Sequence, residues 1–187
     1  AMIGASLATL PDEGLSTIRD ATETAPAFIL ETQSAPEIFA QYVALYRTEC
    51  RLSDDPADER REREINERSL FLTVRRGGLC IGGARLTTRL PGNGRFLPME
   101  TDGFLLPSLF PALARRGAAY CELSRLVLGP DFRSGTVTSL ILARLHDIAA
   151  AEGTRTMFAA APLGNVRLYR RLAAAMGLRQ SEIHSEI

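Results

Sequence analysis

The chain has 187 residues, of which 45% are hydrophobic and 24% charged. That balance belongs to a folded globular chain and excludes a disordered, fibrous or disulfide-stapled one. Twenty-two basic residues stand against 22 acidic ones, so the net charge is zero and nucleic-acid binding finds no support. Every basic residue is arginine, so no lysine is present to form a Schiff base. The three cysteines are an odd set without a C-x-x-C pair, and only His146 and His184 are histidines. Neither a disulfide framework nor a metal site is expected. No apolar run approaches the ~20 residues of a membrane span. No cationic segment leads into an apolar stretch as a secretory leader does, so a reduced, cytoplasmic protein is expected.

In chain order, residues 1–26 are rich in Ala, Thr, Gly and Pro without a period and read as an amino-terminal arm, ordered only if something packs on it. Residues 27–187 read as one domain. Phe28–Thr32 suits a short strand. From Pro36, apolar residues recur at three and four (Ile38, Phe39, Tyr42, Val43, Leu45, Tyr46), which predicts a helix. Residues 53–68 are almost wholly charged and read as a solvated loop or frayed helix, or as a flap over a site. The period then changes to two: strand 69–76, a turn at Gly77-Gly78 and a returning strand 79–87. Gly82-Gly83 inside that strand predicts a bulge or a close backbone approach.

Residues 89–103 read as loop, and Pro107–Arg116 as a short helix ended by Gly117. Ala119–Leu128 is a strong strand, ended by Gly129-Pro130-Asp131. A helix over 138–152, a strand over 154–161, a helix capped by Asn165 and running to Met176, and a last strand over 178–184 complete the pattern. Strand, helix, strand across 119–161 is a right-handed parallel unit, whereas the earlier hairpin is antiparallel. The expected class is therefore α/β in the α+β sense, with a mixed sheet flanked by helices.

The chemistry concentrates at 121–137. By alternation, Glu122, Ser124 and Leu126 face one side of the strand, and Cys121, Leu123 and Arg125 the other, unless a bulge changes the parity. A glutamate among strand apolars is either functional or held in a salt bridge with Arg125 or Arg85. Arg125 either holds the charged segment 54–67 or Glu100, or shapes a cleft; Ser124 orients either neighbour. Arg133, Ser134, Gly135, Thr136 and Val137 lead into a helix, where backbone N–H groups beside a guanidinium suit a phosphate, or where Ser134 or Thr136 simply caps. Tyr169 reads as core or rim. Cys121 lacks a neighbouring histidine and is not read as a nucleophile. Phe71, Phe104, Phe110 and Phe158 read as core or as walls of a tunnel.

The stretch Cys121-Glu122-Leu123-Ser124-Arg125-Leu126-Val127-Leu128-Gly129-Pro130-Asp131-Phe132-Arg133 resembles the fourth strand and following loop of the GNAT acyltransferase superfamily. Its E-x-S-R is similar to the acyl-homoserine-lactone autoinducer synthases and the N-acyl amino acid synthases. The resemblance runs from about Ile38 to Gly177. It implies a mixed, mostly antiparallel central sheet and transfer of an acyl group, fatty acyl in those synthases, from acyl carrier protein or coenzyme A to a small amine. No tightly bound cofactor is implied; acyl-phosphopantetheine or acyl-coenzyme A is the donor substrate. Glu122, Ser124 and Arg125 take the catalytic positions. Leu126, Val127, Leu128 and the loop Arg133–Val137 hold the donor, with an oxyanion-binding N–H near Leu126 or Val127. Two departures qualify this. The autoinducer synthases carry a tryptophan and paired aspartates upstream, where this chain has no Trp and offers Glu64, Asn66 and Glu67, which moves weight to an amino acid or other amine as acceptor. The phosphate loop Arg133-Ser134-Gly135-Thr136-Val137 also lacks the second glycine usual in acetyltransferases. An acetyl-coenzyme A-dependent N-acetyltransferase and a non-catalytic binding module of the same fold are the alternatives.

Overall fold

The computed structural model describes residues 2–8, 28–92, 95–111, 113, 117–177 and 179–185. Its elements are β1 (Met2–Ala8), β2 (Ile29–Glu31), α1 (Pro36–Glu49), α2 (Pro56–Asn66), β3 (Ser69–Arg76) and β4 (Leu79–Arg89). They continue with α3 (Pro98–Thr101), α4 (Leu106–Leu109), β5 (Tyr120–Leu128), α5 (Gly135–Ala151), β6 (Thr156–Pro162), α6 (Leu163–Ala175) and β7 (Arg179–Ser185). One sheet holds the strands in the order β2-β3-β4-β5-β6-β1-β7. Only β5 and β6 pair in parallel, and every other neighbouring pair is antiparallel, so the sheet is mixed and mostly antiparallel, as expected. Met2–Ala8, within the segment read as an arm, forms the strand between β6 and β7; residues 9–27 lie outside the described residues.

Successive residues of β3 serve opposite faces, as a strand requires. Leu72 joins Ala84, Leu86, Leu123, Ile141 and Leu145 in the main core under α5 and α6. Phe71 packs on the other face, edge-on to Tyr42 of α1 at 6.0 Å between ring centroids. On that second face Ile38, Tyr42 and Tyr46 of α1 bury against Cys80 and Val127. The close approach expected at Gly82-Gly83 is real. A Cβ on Gly83 would lie 2.9 Å from the Tyr42 ring and collide with the Leu72 carbonyl, and one on Gly82 would collide with the Val127 carbonyl.

Several boundaries differ from expectation for identifiable reasons. Of the readings of the charged segment 53–68, the helix is the one seen, over Pro56–Asn66. Asp55 accepts the Ala57 N–H (2.7 Å) and Pro56 opens α2, but Ile65 is its one buried residue, so no apolar period announced the helix. The stretch 89–103 contains α3, with Glu100 accepting the Leu97 N–H at 2.8 Å. The helix expected from Pro107 to Arg116 is interrupted: α4 ends at Leu109, and Pro111 and Leu113 are again helical. Phe110 is extended, as a residue before proline prefers, while residues 112 and 114–116 lie outside the described residues. Helix α5 starts three residues before Thr138 because Ser134 caps it, accepting the Val137 N–H at 3.3 Å. Helix α6 begins at Leu163, directly from β6, so Asn165 lies inside its first turn and is not its cap.

Candidate active site

Strands β5 and β6 pair only over Cys121–Leu123 with Met157–Ala159. Beyond Leu123 the two strands part. The cause lies in β5, whose register against β4 slips between Gly83/Val127 and Arg85/Ser124. Arg125 takes φ +53° there, a left-handed conformation that costs a non-glycine residue roughly 1 kcal/mol. The bulge breaks the alternation expected from sequence. Ser124 and Arg125 both turn to the α1–α2 face, whereas simple parity put Arg125 opposite Ser124.

A cavity of about 880 Å³ fills the opening. Its walls are Ser124–Leu128 of β5, Ala160 and Ala161 of β6, the start of α5 and the inner side of α2. Glu122 stands at the apex, where the strands part. It is 4% exposed, and its Oε2 accepts the Met99 N–H at 2.8 Å. Burial pushes its carboxyl up to about 7, against the opposing pull of the Met99 N–H and of Arg85, so it is poised to hold or release a proton near neutral pH.

Beside it lies a charge cluster. Arg85, 1% exposed, donates from Nη1 to Glu62 Oε1 (2.8 Å) and Asn66 Oδ1 (2.7 Å), and from Nε to Ser124 Oγ (3.1 Å). Arg125 grips the same Glu62 with two bonds, Nε to Oε1 (3.0 Å) and Nη2 to Oε2 (2.8 Å). Burial works to raise the Glu62 carboxyl, but the Arg125 bonds and the Arg85 charge outweigh it and hold the group below its ordinary range. The cluster therefore has two guanidiniums, one firm carboxylate and one carboxyl that is uncharged on the acid side of neutrality. Whenever Glu122 is protonated it carries a surplus positive charge, which suits an anionic group on a ligand.

Of the residues singled out in the sequence, Glu122, Ser124, Arg125, Leu126, Val127, Leu128, Arg133, Ser134 and Gly135 line this one cavity. Thr136 and Val137 do not. Val137 is buried in the main core and its N–H goes to the Ser134 cap. Arg133 donates to Glu49 Oε2 and to the Leu128 carbonyl (3.3 Å), and its side chain is 56% exposed. Of the two readings of Glu122, the salt bridge is not what is seen, since Arg85 and Arg125 bond Glu62 instead. Arg125 holds segment 54–67 as one reading had it, while Glu100 goes to Arg89 and to Tyr120 Oη (3.0 Å). Tyr169 packs on the main core and also lines the cavity, where burial pushes its hydroxyl up to about 12. Phe104, Phe110 and Phe158 sit in a small core under 97–113, with Phe104 also reaching the cavity wall.

The acidic residues proposed upstream need correction. Glu64 and Glu67 are exposed, and the pair that meets Arg85 is Glu62 and Asn66. They are four apart, hence on one side of a helix. That spacing is the signal the sequence carries, and it has meaning only on the helical reading of the segment.

No family model and no curated protein matches the sequence. Solved structures do. The chain is similar to glucosamine-6-phosphate N-acetyltransferase from Arabidopsis thaliana, over 86% of its own length and 97% of that chain, with a TM-score of 0.58 and 13% identity. It is similar to FeeM, an N-acyl amino acid synthase from uncultured soil microbes, over 78% and 77% with a TM-score of 0.62 and 13% identity. It is also similar to the AHL synthase LasI, over 79% and 78% with a TM-score of 0.52 and 14% identity. The fold is that of the GNAT acyltransferases, as the E-x-S-R strand implied, and at these identities the likeness is one of fold. Among the described residues no helix is long and apolar enough to cross a membrane.

Proposed function

We propose that the protein is an N-acyltransferase that moves an acyl group from a phosphopantetheine thioester directly to the amine of a small acceptor bearing a carboxylate, such as an amino acid. The observation that carries this reading is the parting of β5 from β6 with Glu122 at the apex. An extended donor arm fits alongside the unpaired edge of Leu126–Leu128. Its phosphate end meets Arg133 and the Gly135 N–H at the start of α5, both of which line the cavity. The Glu122 carboxylate takes one proton of the attacking ammonium, and the second, shed by nitrogen as the amide forms, goes to the departing thiolate. The C–N bond forms, the carbonyl oxygen becomes an oxyanion facing the Leu126 N–H, and the C–S bond breaks. Tyr169, protonated at neutral pH, lines the same cavity. Arg125, holding Glu62 through Nε and Nη2, keeps further donors for the acceptor carboxylate.

The size of the cavity and its apolar wall of Leu52, Ile65, Met99 and Phe104 support a chain longer than acetyl. Acetyl-coenzyme A is the second reading, favoured by the likeness in fold to the N-acetyltransferase from Arabidopsis. Exposed Arg60 and Arg63 on α2 suit docking of an acidic acyl carrier protein. A non-catalytic module is disfavoured because the Glu122 carboxylate lines an open cavity.

Purified protein incubated with acyl-coenzyme A and acyl-carrier donors of increasing chain length, together with the amino acids and homoserine lactone, tests the reading. Mass spectrometry should find an N-acyl product that disappears in Glu122→Gln. Donor hydrolysis alone, or no turnover with any donor, overturns it.

A further inference from the structure

Something must hold the bulge open, because Arg125 in a left-handed conformation gains nothing by itself. Two features do so. Gly83, opposite Val127 on β4, leaves the space into which the Tyr42 ring inserts. The Tyr42 hydroxyl then donates to the Arg125 carbonyl at 2.9 Å. Tyr42 is fully buried between Tyr46 and Phe71, tilted against the first and edge-on to the second with ring centroids at 5.2 and 6.0 Å, so this hydroxyl is fixed rather than adaptable. The peptide bonds of the described residues are all trans. In a trans peptide the Leu126 N–H points opposite to the Arg125 carbonyl. With the carbonyl drawn toward α1 and β4, the N–H is turned toward the side from which β6 has withdrawn.

We infer that Tyr42, remote from the cavity and touching no substrate, is a positioning residue that aims the Leu126 N–H at the thioester oxygen by anchoring the Arg125 carbonyl. The inference rests on the acyl-thioester reading above. It assigns to a helix α1 side chain the geometry that strand β5 presents to the reacting carbonyl. The Arg125 side chain does not do this, since its guanidinium bonds Glu62 and not the Arg125 carbonyl.

The test separates oxygen recognition from donor binding. Two coenzyme A ligands of equal chain length are compared by calorimetry: an S-alkyl thioether, which has no carbonyl, and a ketone in which CH2 replaces the thioester sulfur. Tyr42→Phe, which keeps the ring, should bind the thioether as wild type does and the ketone about tenfold more weakly, the weight of one well-made hydrogen bond. The thioester donor should lose the same bond, so its kcat/KM should fall by about tenfold or more, with the Glu122 pH midpoint unmoved. A merely structural role predicts equal loss of affinity for both ligands, or none. In case Tyr42→Phe folds poorly, the wild-type chain offers a second reading: the Leu126 amide resonance should move when the ketone binds and stay put with the thioether. Equal response to the two ligands in both experiments overturns the inference. If wild type binds neither ligand, the acyl-thioester reading itself falls.

Discussion

Glu122 costs the protein stability in the ionisation state in which it is proposed to work, and that cost is measurable. Burial raises its carboxyl from an ordinary 4.5 to about 7, and at 1.36 kcal/mol per pH unit this corresponds to roughly 3 kcal/mol. The fold prefers the neutral acid. The stability this group contributes is therefore complete below the unfolded value and is lost as the pH rises through about 7. Glu122→Gln removes the titration while its amide oxygen still accepts the Met99 N–H. The variant should match wild type to within about 1 kcal/mol near pH 5 and exceed it by roughly 3 kcal/mol near pH 8.5. For a chain of this size that is a gain in Tm of about 6–12 °C at the higher pH. The same variant should lose at least about tenfold in transfer, together with the rise in rate expected of wild type through about pH 7. Differential scanning calorimetry at the two pH values and a pH–rate profile are the assays. A Tm difference independent of pH would show that the carboxyl is not held neutral by burial, and an unchanged rate profile would remove Glu122 from the proton transfer.

How much of this was legible in the sequence depended on where the signal was local. Strand β3, the hairpin and β5 were readable to within a residue or two because alternation and Gly77-Gly78 are short-range features. Glu122 and Arg125 stood out because a charge in an apolar strand demands an explanation. What could not be read was what each charge meets. Glu62 belongs to a helix without an apolar period, and its tie to Arg85 and Arg125 spans 23 and 63 positions of sequence. The parity of Arg125 depended on a bulge whose carbonyl contact, the Tyr42 hydroxyl, lies on another element. Gly82-Gly83 announced a close approach but not its partner. Likewise Val137 was readable as part of a helix start, yet whether its N–H serves a phosphate or a cap was decided by the Ser134 rotamer.

Arg133→Ala should raise donor KM several-fold and shift Tm by under about 1 °C, because its pair with Glu49 is half-exposed; equal donor affinity in steady-state kinetics removes Arg133 from the phosphate site. Glu62→Ala leaves Arg85 and Arg125 without their shared carboxylate and should cost about 3–5 kcal/mol in urea unfolding. Because the Glu62 carboxyl is held low, its stabilisation is present above the ordinary carboxylate pKa and is lost as pH falls through the lowered one, so the gap between wild type and variant should narrow in acid. Gly83→Ala should lower stability by about 1–3 kcal/mol and displace Tyr42, with loss of transfer beyond the loss of folded protein. Helix α2 carries the last expectation. Its single buried apolar residue, Ile65, supplies little hydrophobic anchorage, so the helix is held by ions: Glu62 on Arg85 and Arg125, Arg61 on Asp102, and Arg47 on Glu59. The two outer pairs are partly exposed and screened once added salt brings the Debye length to about 3 Å near 1 M, whereas the inner pair is not. Amide exchange over 56–66 should therefore quicken in high salt and slow when acyl donor fills the cavity wall that α2 completes. A helix that exchanges equally with and without donor, at low and high salt, is a passive part of the scaffold, and the closing role of α2 is then wrong.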